Sequence, residues 1–333
     1  MTSKCILVTG GAGFIGGHFI HLIINRYPDY KIVNVDMLTN ASDLEKHKPL
    51  QFNTNYKFYP ISTMDEAKLH TLFKMERFDY VVNFAAESHV DHSIANPSLF
   101  THANVVGTQN LLNLCVQYHV EKFIHISTDE VYGELSMDSK DLFTEESPVK
   151  PRSPYSASKA ASDLLVQAYH ETYNLPVIIT RCSNNYGPYQ MPEKLIPLSI
   201  SKALNNEPIT LYGDGKNVRD WLYVQDHCEA VDFIMHNGQI GEVYNIGGNE
   251  EKTNIEIAKH ILWLLKKPEH FITFIQDRPG HDLRYAINAE KLRKLGWAPK
   301  VSFSKGIEHT VSWYIQNEPW VRRHVEKLRR GTA

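Results

Sequence analysis

A glycine-rich stretch near the start of the chain, VTGGAGFIGG over residues 8–17, constrains the fold more than any other feature. It directly follows a short apolar run at residues 5–8 and leads into an amphipathic segment at residues 14–25. Glycine lets the main chain turn sharply and approach a ligand closely, so a strand, this turn and a helix form the first unit of a dinucleotide-binding fold.

The same alternation continues through the first half of the chain. Short apolar runs bounded by polar turns predict buried parallel strands at residues 5–8, 31–35, 80–84, 122–126 and 176–180. Apolar positions at helical spacing predict helices at residues 14–25, 97–118 and 155–173. We therefore expect an α/β fold with a doubly wound parallel sheet of the Rossmann type.

Turns become denser after Arg181, which indicates a second, smaller domain. The predicted boundaries give a Rossmann domain over residues 1–182 and a mixed α/β substrate domain over residues 183–217 and 249–333. Residues 218–248 are expected to return to the first domain, with a strand and a helix within residues 221–235 joining the large sheet.

Composition excludes several classes of function. The net charge is −3, which gives no basic field for nucleic acid or an anionic membrane, and the cationic stretch at residues 321–330 is interpreted as a solvated helix face. Four widely spaced cysteines favour a reducing compartment over a disulfide frame, and His89 and His92 have no third ligand for a metal. With neither a signal peptide nor a membrane span expected, we predict a cytoplasmic location.

An acidic residue defines the expected cofactor. Asp36 follows the second predicted strand, 20 residues beyond Gly16, where a carboxylate binds the adenosine ribose hydroxyls. The pyrophosphate would rest on the N-terminus of the first helix. Because the carboxylate would repel a 2′-phosphate, the pattern predicts NAD rather than NADP.

The segment YSASK supplies a candidate base, Tyr155, with Lys159 on the same helix face. A phenol titrates near pKa 10, and lowering that pKa to about 7 takes roughly 4 kcal/mol of preferential stabilisation of the anion. A neighbouring ammonium and the positive nicotinamide ring are expected to supply it.

With these motifs the sequence resembles the extended short-chain dehydrogenase/reductases, and among them the nucleoside-diphosphate-glucose 4,6-dehydratases. The resemblance spans nearly the whole chain, in the segments TGGAGFIG, AAESHVD, STDEVYGE, PYSASKA, RCSNNYGP, PEKLIP, RDWLYV and RPGHDLRY. It implies that bound NAD oxidises C4 of dTDP-glucose or UDP-glucose, that water leaves across C5 and C6, and that the hydride returns to C6. The product would be a 4-keto-6-deoxy sugar nucleotide of rhamnose-type deoxysugar biosynthesis.

The resemblance also assigns roles to side chains. It implies Glu130 as the base at C5, Asp129 as the acid at the C6 hydroxyl, Tyr155 as the base at the C4 hydroxyl and Thr128 as a donor to the C4 oxygen. Since Asp129 must carry a proton to act, we hypothesise that burial and repulsion from Glu130 raise its pKa.

Further residues match positions that bind ligands in the family. For NAD these are Gly10, Gly13, Phe14, Ile15, Gly16, Asp36, Thr63, Ala85, Ala86, Ser88, Tyr155 and Lys159. For the sugar nucleotide they are His89, Thr128, Asn184, Lys194, Leu195, Tyr212, Arg219, Asn254, Arg278 and His281. Departures from the family pattern are Ser62, where relatives usually have an Asp that contacts the adenine amine, His92 for Arg and Met191 for Phe.

Other interpretations stay open at this point. A nucleotide-sugar 4-epimerase shares Tyr155 and Lys159 but needs no acid–base pair at residues 129 and 130. A 4,6-dehydratase of N-acetylated sugars and a non-catalytic NAD-binding regulator are the further alternatives. The family usually forms homodimers through two helices, here those at residues 97–118 and 155–173, but these helices could equally pack against their own sheet.

Overall fold

Parallel strands form the centre of the molecule. The computed structural model describes residues 3–331 of the chain. Its large sheet has seven strands in the order β10-β6-β5-β4-β1-β2-β3, and every neighbouring pair is parallel. The strands are β1 (Cys5–Thr9), β2 (Lys31–Val35), β3 (Tyr56–Tyr59), β4 (Tyr80–Asn83), β5 (Lys122–Thr128), β6 (Val177–Cys182) and β10 (Val243–Ile246).

Helices cover both faces of this sheet, as expected for a doubly wound fold. Apolar side chains of α1 and α8 pack on one face, and those of α2, α5 and α6 pack on the other. The helices of this part are α1 (Phe14–Arg26), α2 (Glu66–Met75), α3 (Val90–Ala95), α4 (Pro97–Phe100), α5 (Gly107–Gln117), α6 (Pro154–Tyr173) and α8 (Val224–Asn237). A π-helical turn, Thr101–Val106, joins α4 to α5 within the helix predicted at residues 97–118.

The remaining elements build a smaller lobe around a separate apolar cluster. Its strands form a three-stranded sheet in the order β11-β9-β7 and a parallel pair of β12 with β8. These strands are β7 (Asn184–Tyr186), β8 (Ile209–Tyr212), β9 (Val218–Tyr223), β11 (Glu251–Thr253) and β12 (Ile272–Ile275). The helices are α7 (Leu195–Leu204), α9 (Asn254–Leu264), α11 (Phe303–Gln316) and α12 (Glu318–Gly331). The predicted extent of the substrate domain, residues 249–333, was wrong for α10 (Glu290–Leu295), because Leu292 of this helix packs in the core of the large sheet.

The sequence predicted that a strand and a helix within residues 221–235 join the large sheet, and the strand was predicted wrongly. The strand near Trp221 is β9, which pairs with β7 and β11 of the smaller lobe. The following helix, α8, does pack on α1, and the strand that joins the large sheet is β10, beside β6. The apolar run at residues 221–224 is buried in either arrangement, so its pattern could not distinguish them. The cationic tail lies in α12, although the side chains from residue 329 onward lie outside those described.

Candidate active site

A cavity of about 310 Å³ opens at the carboxyl ends of the central strands, where the strand order reverses between β1 and β4. It brings together most of the residues predicted to bind the cofactor and catalyse the reaction. Those that line it are Gly10, Gly13, Phe14, Ile15, Gly16, Asp36, Thr63, Ala85, Ala86, Ser88, Thr128, Asp129, Glu130, Tyr155, Lys159, Asn184 and Lys194.

The β1–α1 turn is shaped so that a ligand can approach its main chain. Gly10 has φ +69°, and a Cβ there would lie 2.7 Å from the main-chain nitrogen of Ala85. Gly13 is the N-cap of α1, and a Cβ there would meet only the Gly10 carbonyl, at 3.1 Å. The open side of Gly13 faces the cavity, so the helix N-terminus is free to receive a pyrophosphate. These features fit a bound dinucleotide.

Asp36 ties the turn to the end of β2. One carboxylate oxygen accepts from the main-chain nitrogen of Ala12 at 3.1 Å, and the other accepts from Leu38 N and the Ser42 hydroxyl, both at 2.8 Å. The carboxylate therefore stands in the cavity wall beside Gly10 and Gly13, which fits the predicted preference for NAD.

Thr128 ends β5 and caps the following 3₁₀ turn, Asp129–Tyr132, by accepting from Glu130 N at 3.3 Å. Asp129 is 2% exposed, and its Oδ2 has no hydrogen-bond partner among the described residues. Burial, followed by the charges of Glu130 and Asp220, raises the pKa of Asp129 well above its usual range. The direction and both causes predicted from the sequence are confirmed.

Glu130 differs from its neighbour in its surroundings. It is partly exposed to the cavity. Burial raises the pKa of Glu130, but Arg219, Lys194 and Arg278 counteract this by stabilising the carboxylate. The two carboxyls thus experience different charges although they are adjacent in the chain.

Tyr155 and Lys159 lie in the first turns of α6, which begins with a capping box between Ser153 and Ser156 and has Pro154 at its first position. The Lys159 ammonium donates to the Ile126 carbonyl at 2.7 Å. Burial lowers the pKa of Lys159 to about 8.

The lowering of the Tyr155 pKa was predicted with a nicotinamide ring in place, and the chain by itself does not produce it. Burial raises the pKa of Tyr155 well above 10, the charge of Glu130 adds to this, and a hydrogen bond with Thr128 offsets only part. The ammonium of Lys159 is directed to a main-chain carbonyl of β5, so the chain does not supply the stabilisation that the sequence pattern suggested.

The predicted substrate residues outside the cavity wall belong mainly to the smaller lobe. Arg219 on β9 donates to the carbonyls of Val218 and Asp282, at 2.7 and 3.0 Å, and its guanidinium lies 4.2 Å from the Tyr285 ring centroid. Much of its donor capacity is thus used within the protein. The others outside the wall are His89, Leu195, Tyr212, Asn254, Arg278 and His281.

Several of these are close to one another. Arg278 donates to Asp91 at 2.9 Å, and His281 donates to Asp277 at 2.6 Å while its ring meets the Tyr212 ring edge-on. His89 stacks on His92 with ring centroids 4.1 Å apart. Leu195 and Asn254 begin α7 and α9; Leu195 packs in the apolar core of the smaller lobe.

The sequence profile of the GDP-mannose 4,6 dehydratase family matches residues 7–310. The chain belongs to this family.

Individual relatives narrow the resemblance. The chain is 50% identical to a dTDP-glucose 4,6-dehydratase of Xanthomonas campestris pv. campestris (strain B100), over 95% of this chain and 94% of the relative. A crystal structure of dTDP-glucose 4,6-dehydratase from Bacillus anthracis in complex with NAD matches with a TM-score of 0.90 and 49% identity, over 96% of this chain and 99% of that one. DesIV from Streptomyces venezuelae, with NAD and TYD bound, matches with a TM-score of 0.92 and 45% identity, over the same shares.

The three departures from the family pattern fall in different places. Met191 is buried in the cavity wall. Ser62 lies beside the wall residue Thr63, and its hydroxyl accepts from Met64 N at 3.2 Å. His92 is exposed and carries the stack with His89. None of these three side chains is hydrogen-bonded to Asp129 or Glu130.

Two residues that sequence analysis missed shape this family member's site. Asn104, in the π-helical turn, exchanges hydrogen bonds with the main chain of Glu87 and donates to the Ser158 hydroxyl at 2.8 Å. It thereby fixes the loop after β4 to α6. Glu193 lines the cavity next to Lys194, and its charge adds to the effect of burial in raising the pKa of Glu87. The PEKLIP segment was the available signal for Glu193, whereas no local pattern indicates Asn104.

Among the described residues there is neither a helix able to span a membrane nor a metal-binding cluster. No helix within residues 3–331 is long and apolar enough to cross a membrane. The same part of the chain contains no cluster of three or more His, Cys, Asp or Glu side chains able to bind a metal ion.

Proposed function

We propose that the protein is an NAD-dependent nucleoside-diphosphate-glucose 4,6-dehydratase that acts on dTDP-glucose. The observation that carries this proposal is the pair of adjacent carboxyls, Asp129 and Glu130, in the same cavity wall as Tyr155 and Lys159. A 4-epimerase has no use for such a pair. The relatives at 45–50% identity that bear this activity in their names support it.

Chain residues supply binding and proton transfer in this mechanism. The glycine turn and Asp36 would bind NAD, which when bound accepts a hydride from C4 of the hexose and returns it to C6. With the positive charge of a bound nicotinamide ring to offset the effect of burial on its pKa, Tyr155 would take the proton of the C4 hydroxyl while the Thr128 hydroxyl orients the C4 oxygen. The resulting ketone makes the C5 proton acidic, and Glu130 removes it.

Asp129 completes the elimination by donating its proton to the C6 hydroxyl, which leaves as water. Glu130 would return its proton to C5 as the hydride is added at C6. The raised pKa of Asp129 suits its role because a carboxylic acid must be protonated to donate. The Arg219, Lys194 and Arg278 charges that stabilise the Glu130 carboxylate suit a base. The remaining predicted residues, among them Asn184 and Lys194, would bind the nucleotide and its phosphates.

The experiment that tests this function uses dTDP-glucose labelled with deuterium at C4. We expect a 4-keto-6-deoxy product with the deuterium in its C6 methyl group, identified by mass spectrometry and NMR. A galactose isomer would identify an epimerase, turnover of an N-acetylated sugar alone would identify the related dehydratase, and no turnover of any sugar nucleotide would indicate a non-catalytic protein. UDP-glucose assayed in parallel establishes the nucleotide preference.

The proposal extends to the setting of the reaction. The 4-keto-6-deoxy product is of the kind consumed in rhamnose-type deoxysugar biosynthesis. A cytoplasmic location is supported by the four free cysteines, of which Cys115, Cys182 and Cys228 are buried.

We also propose a homodimer formed through α4, α5 and α6. One face of α5 and α6 packs against the large sheet. Large apolar side chains remain exposed on the outer side of this layer, namely Leu99, Val106, Leu164 and Tyr173. A second copy would cover them.

A further inference from the structure

One carboxylate, that of Asp91, joins the two lobes. Asp91 lies in the first turn of α3, in the dinucleotide-binding part. Its Oδ1 accepts from Arg278 Nη1 at 2.9 Å, and its Oδ2 accepts from the Tyr212 hydroxyl at 3.3 Å. Both oxygens are therefore used by side chains of the smaller lobe.

The two partners come from different elements of that lobe. Tyr212 ends β8, and Arg278 follows β12, the strand paired with β8. The Arg278 guanidinium carbon lies 5.8 Å from the Tyr212 ring centroid, so cation, ring and carboxylate form one group. Among the described residues no acceptor contacts Arg278 Nε or Nη2, so this edge of the guanidinium is available to a ligand.

We infer that Asp91 is a positioning residue that orients Arg278 and Tyr212 to receive the diphosphate of the sugar nucleotide. This inference rests on the proposed function. A guanidinium binds phosphate through a planar pair of donors, so its orientation decides how well it binds. A long side chain that is already fixed loses less conformational freedom when the ligand arrives.

Positioning and charge repulsion predict opposite changes in the Kd when Asp91 is replaced, so the direction of the change tests the inference. A carboxylate close to a diphosphate also repels it, and removing that negative charge would then tighten binding. Asp91 and Arg278 are only partly buried, with side-chain exposures of 35% and 22%, so solvent weakens the repulsion. The two hydrogen bonds remain, and on this geometry positioning outweighs repulsion.

The test compares Asp91→Asn with the wild type, both loaded with NAD. Binding of dTDP is measured by calorimetry, and steady-state kinetics are measured with dTDP-glucose. Loss of a charge-assisted hydrogen bond predicts about a tenfold rise in the Kd for dTDP and in KM, with kcat changed less than about twofold. The NAD content of the purified protein should not change.

Asp214→Asn is the matched control. Asp214 lies two residues after Tyr212, is exposed, and pairs with Lys216. Asp214→Asn changes the net charge of the protein by the same amount as Asp91→Asn but removes no contact to Arg278, so the Kd for dTDP should stay at the wild-type value.

Tyr212→Phe provides a second measurement if Asp91→Asn loses NAD or folds poorly. It removes the hydroxyl that donates to Asp91 and keeps the ring. Tyr212→Phe alone should raise the Kd for dTDP, and an unchanged Kd would count against the inference. Where Asp91→Asn folds and holds NAD, the two substitutions together should raise the Kd by less than the product of their separate effects, because they break the same contact.

An unchanged or lower Kd in Asp91→Asn would overturn the inference, and so would multiplicative effects in the cycle or a wild type that binds neither dTDP nor UDP. The proposed function is judged separately. If the wild type binds dTDP without dehydrating dTDP-glucose, that function fails, whereas the change in Kd still decides the role of Asp91.

Discussion

At the scale of single residues, the site gives neighbouring carboxyls different chemistry. Asp129 and Glu130 are adjacent in sequence, but the first has a buried oxygen with no hydrogen-bond partner in the described part of the chain, and the second is stabilised by three cations. Environment rather than residue type thus separates an acid from a base, as in other pairs of catalytic carboxyls.

Asp129→Asn should separate the two halves of the reaction. The amide cannot donate a proton as an acid does, so we expect turnover to fall about 10²–10⁴-fold. Oxidation at C4 should persist, so reduced cofactor should accumulate and be visible by its absorbance in stopped flow. Unchanged turnover, or loss of C4 oxidation as well, would contradict the assigned role.

The same variant should be more stable than the wild type near neutral pH. The folded-state pKa of Asp129 is raised above its unfolded value, so ionisation favours the unfolded chain. Stability from the protonated carboxyl is complete below the unfolded pKa and is lost as pH rises through the folded pKa. We expect Asp129→Asn to unfold at a higher temperature at pH 7, with the difference narrowing in acid. An equal or lower melting temperature at pH 7 would show that the raised pKa has no effect on stability.

Lys46, beside the glycine turn, is another buried ionisable side chain, and burying its charge destabilises the folded protein. It is buried, donates to the Phe14 carbonyl at 3.1 Å, and has no ion pair among residues 3–331. Burial lowers the pKa of Lys46 to about 7. Charged or titratable groups that interact with it are His18, His21, Asp43, His47, Cys228 and Tyr189, whose ring centroid lies 4.9 Å from the ammonium.

Replacing the ammonium should therefore stabilise the protein. Below about pH 7 Lys46 is protonated in both the folded and the unfolded chain, so burying its charge destabilises the fold to the full extent. As pH rises from 7 toward the unfolded pKa of 10.5, this destabilisation decreases to zero. We expect Lys46→Met to raise the free energy of unfolding by about 1–4 kcal/mol at pH 6 and by less at pH 9.5. Urea unfolding measures this, with exposed Lys48→Met as the control; a gain that does not depend on pH would contradict the cause given.

At the scale of elements, the β1–α1 turn distinguishes structural glycines from those that face the ligand. Gly10 combines a positive φ with a close approach to Ala85, whereas Gly13 opens onto the cavity. The sequence motif treats them alike, although only the first is required by the fold itself.

Gly13→Ala and Gly10→Ala should consequently fail in different ways. We expect Gly13→Ala to fold normally but to retain far less NAD, because its methyl group occupies the space for a pyrophosphate. Gly10→Ala should lower the melting temperature, since the Ala85 main chain must shift. NAD content and thermal unfolding of both variants give the comparison, and normal NAD content in Gly13→Ala would contradict the proposed cofactor site.

Sequence reasoning predicted elements with a strong pattern and missed those without one. Apolar, β-branched runs predicted the strands β1, β2 and β6, and apolar residues at helical spacing predicted the helices α1 and α6. No other secondary structure fits these patterns well, and the predictions are confirmed. The edge strand β3 (Tyr56–Tyr59) is only half-buried, and β10 (Val243–Ile246) is four residues long, so neither gives a clear signal. Asp91 and Asn104 act through residues far away in the sequence, and no local pattern contains that information.

At the scale of the whole molecule, the helices on one face of the large sheet have both a buried and an exposed apolar side. The buried side is explained by the sheet. The exposed side, with Leu164 at 59% exposure on α6, is where the proposed homodimer would form.

Leu164→Glu should convert the proposed dimer into monomers. A carboxylate at the centre of an apolar contact is unfavourable between two copies, whereas on an exposed surface it is tolerated. Light scattering after gel filtration should give a mass near 76 kDa for the wild type, twice the 38.2 kDa of one chain, and near 38.2 kDa for the variant. Trp263→Glu, on the exposed side of α9, is the control. A wild type that is already monomeric would refute the dimer.

The late return of β10 to the edge of the large sheet has a practical consequence for anyone dividing this protein. A fragment ending at Cys182 would leave β6 as an open edge and strip α8 from the apolar side of α1. Bare strand edges and uncovered apolar helices promote aggregation. We therefore expect that residues 1–182 do not fold stably on their own. Expression trials should begin from the undivided chain.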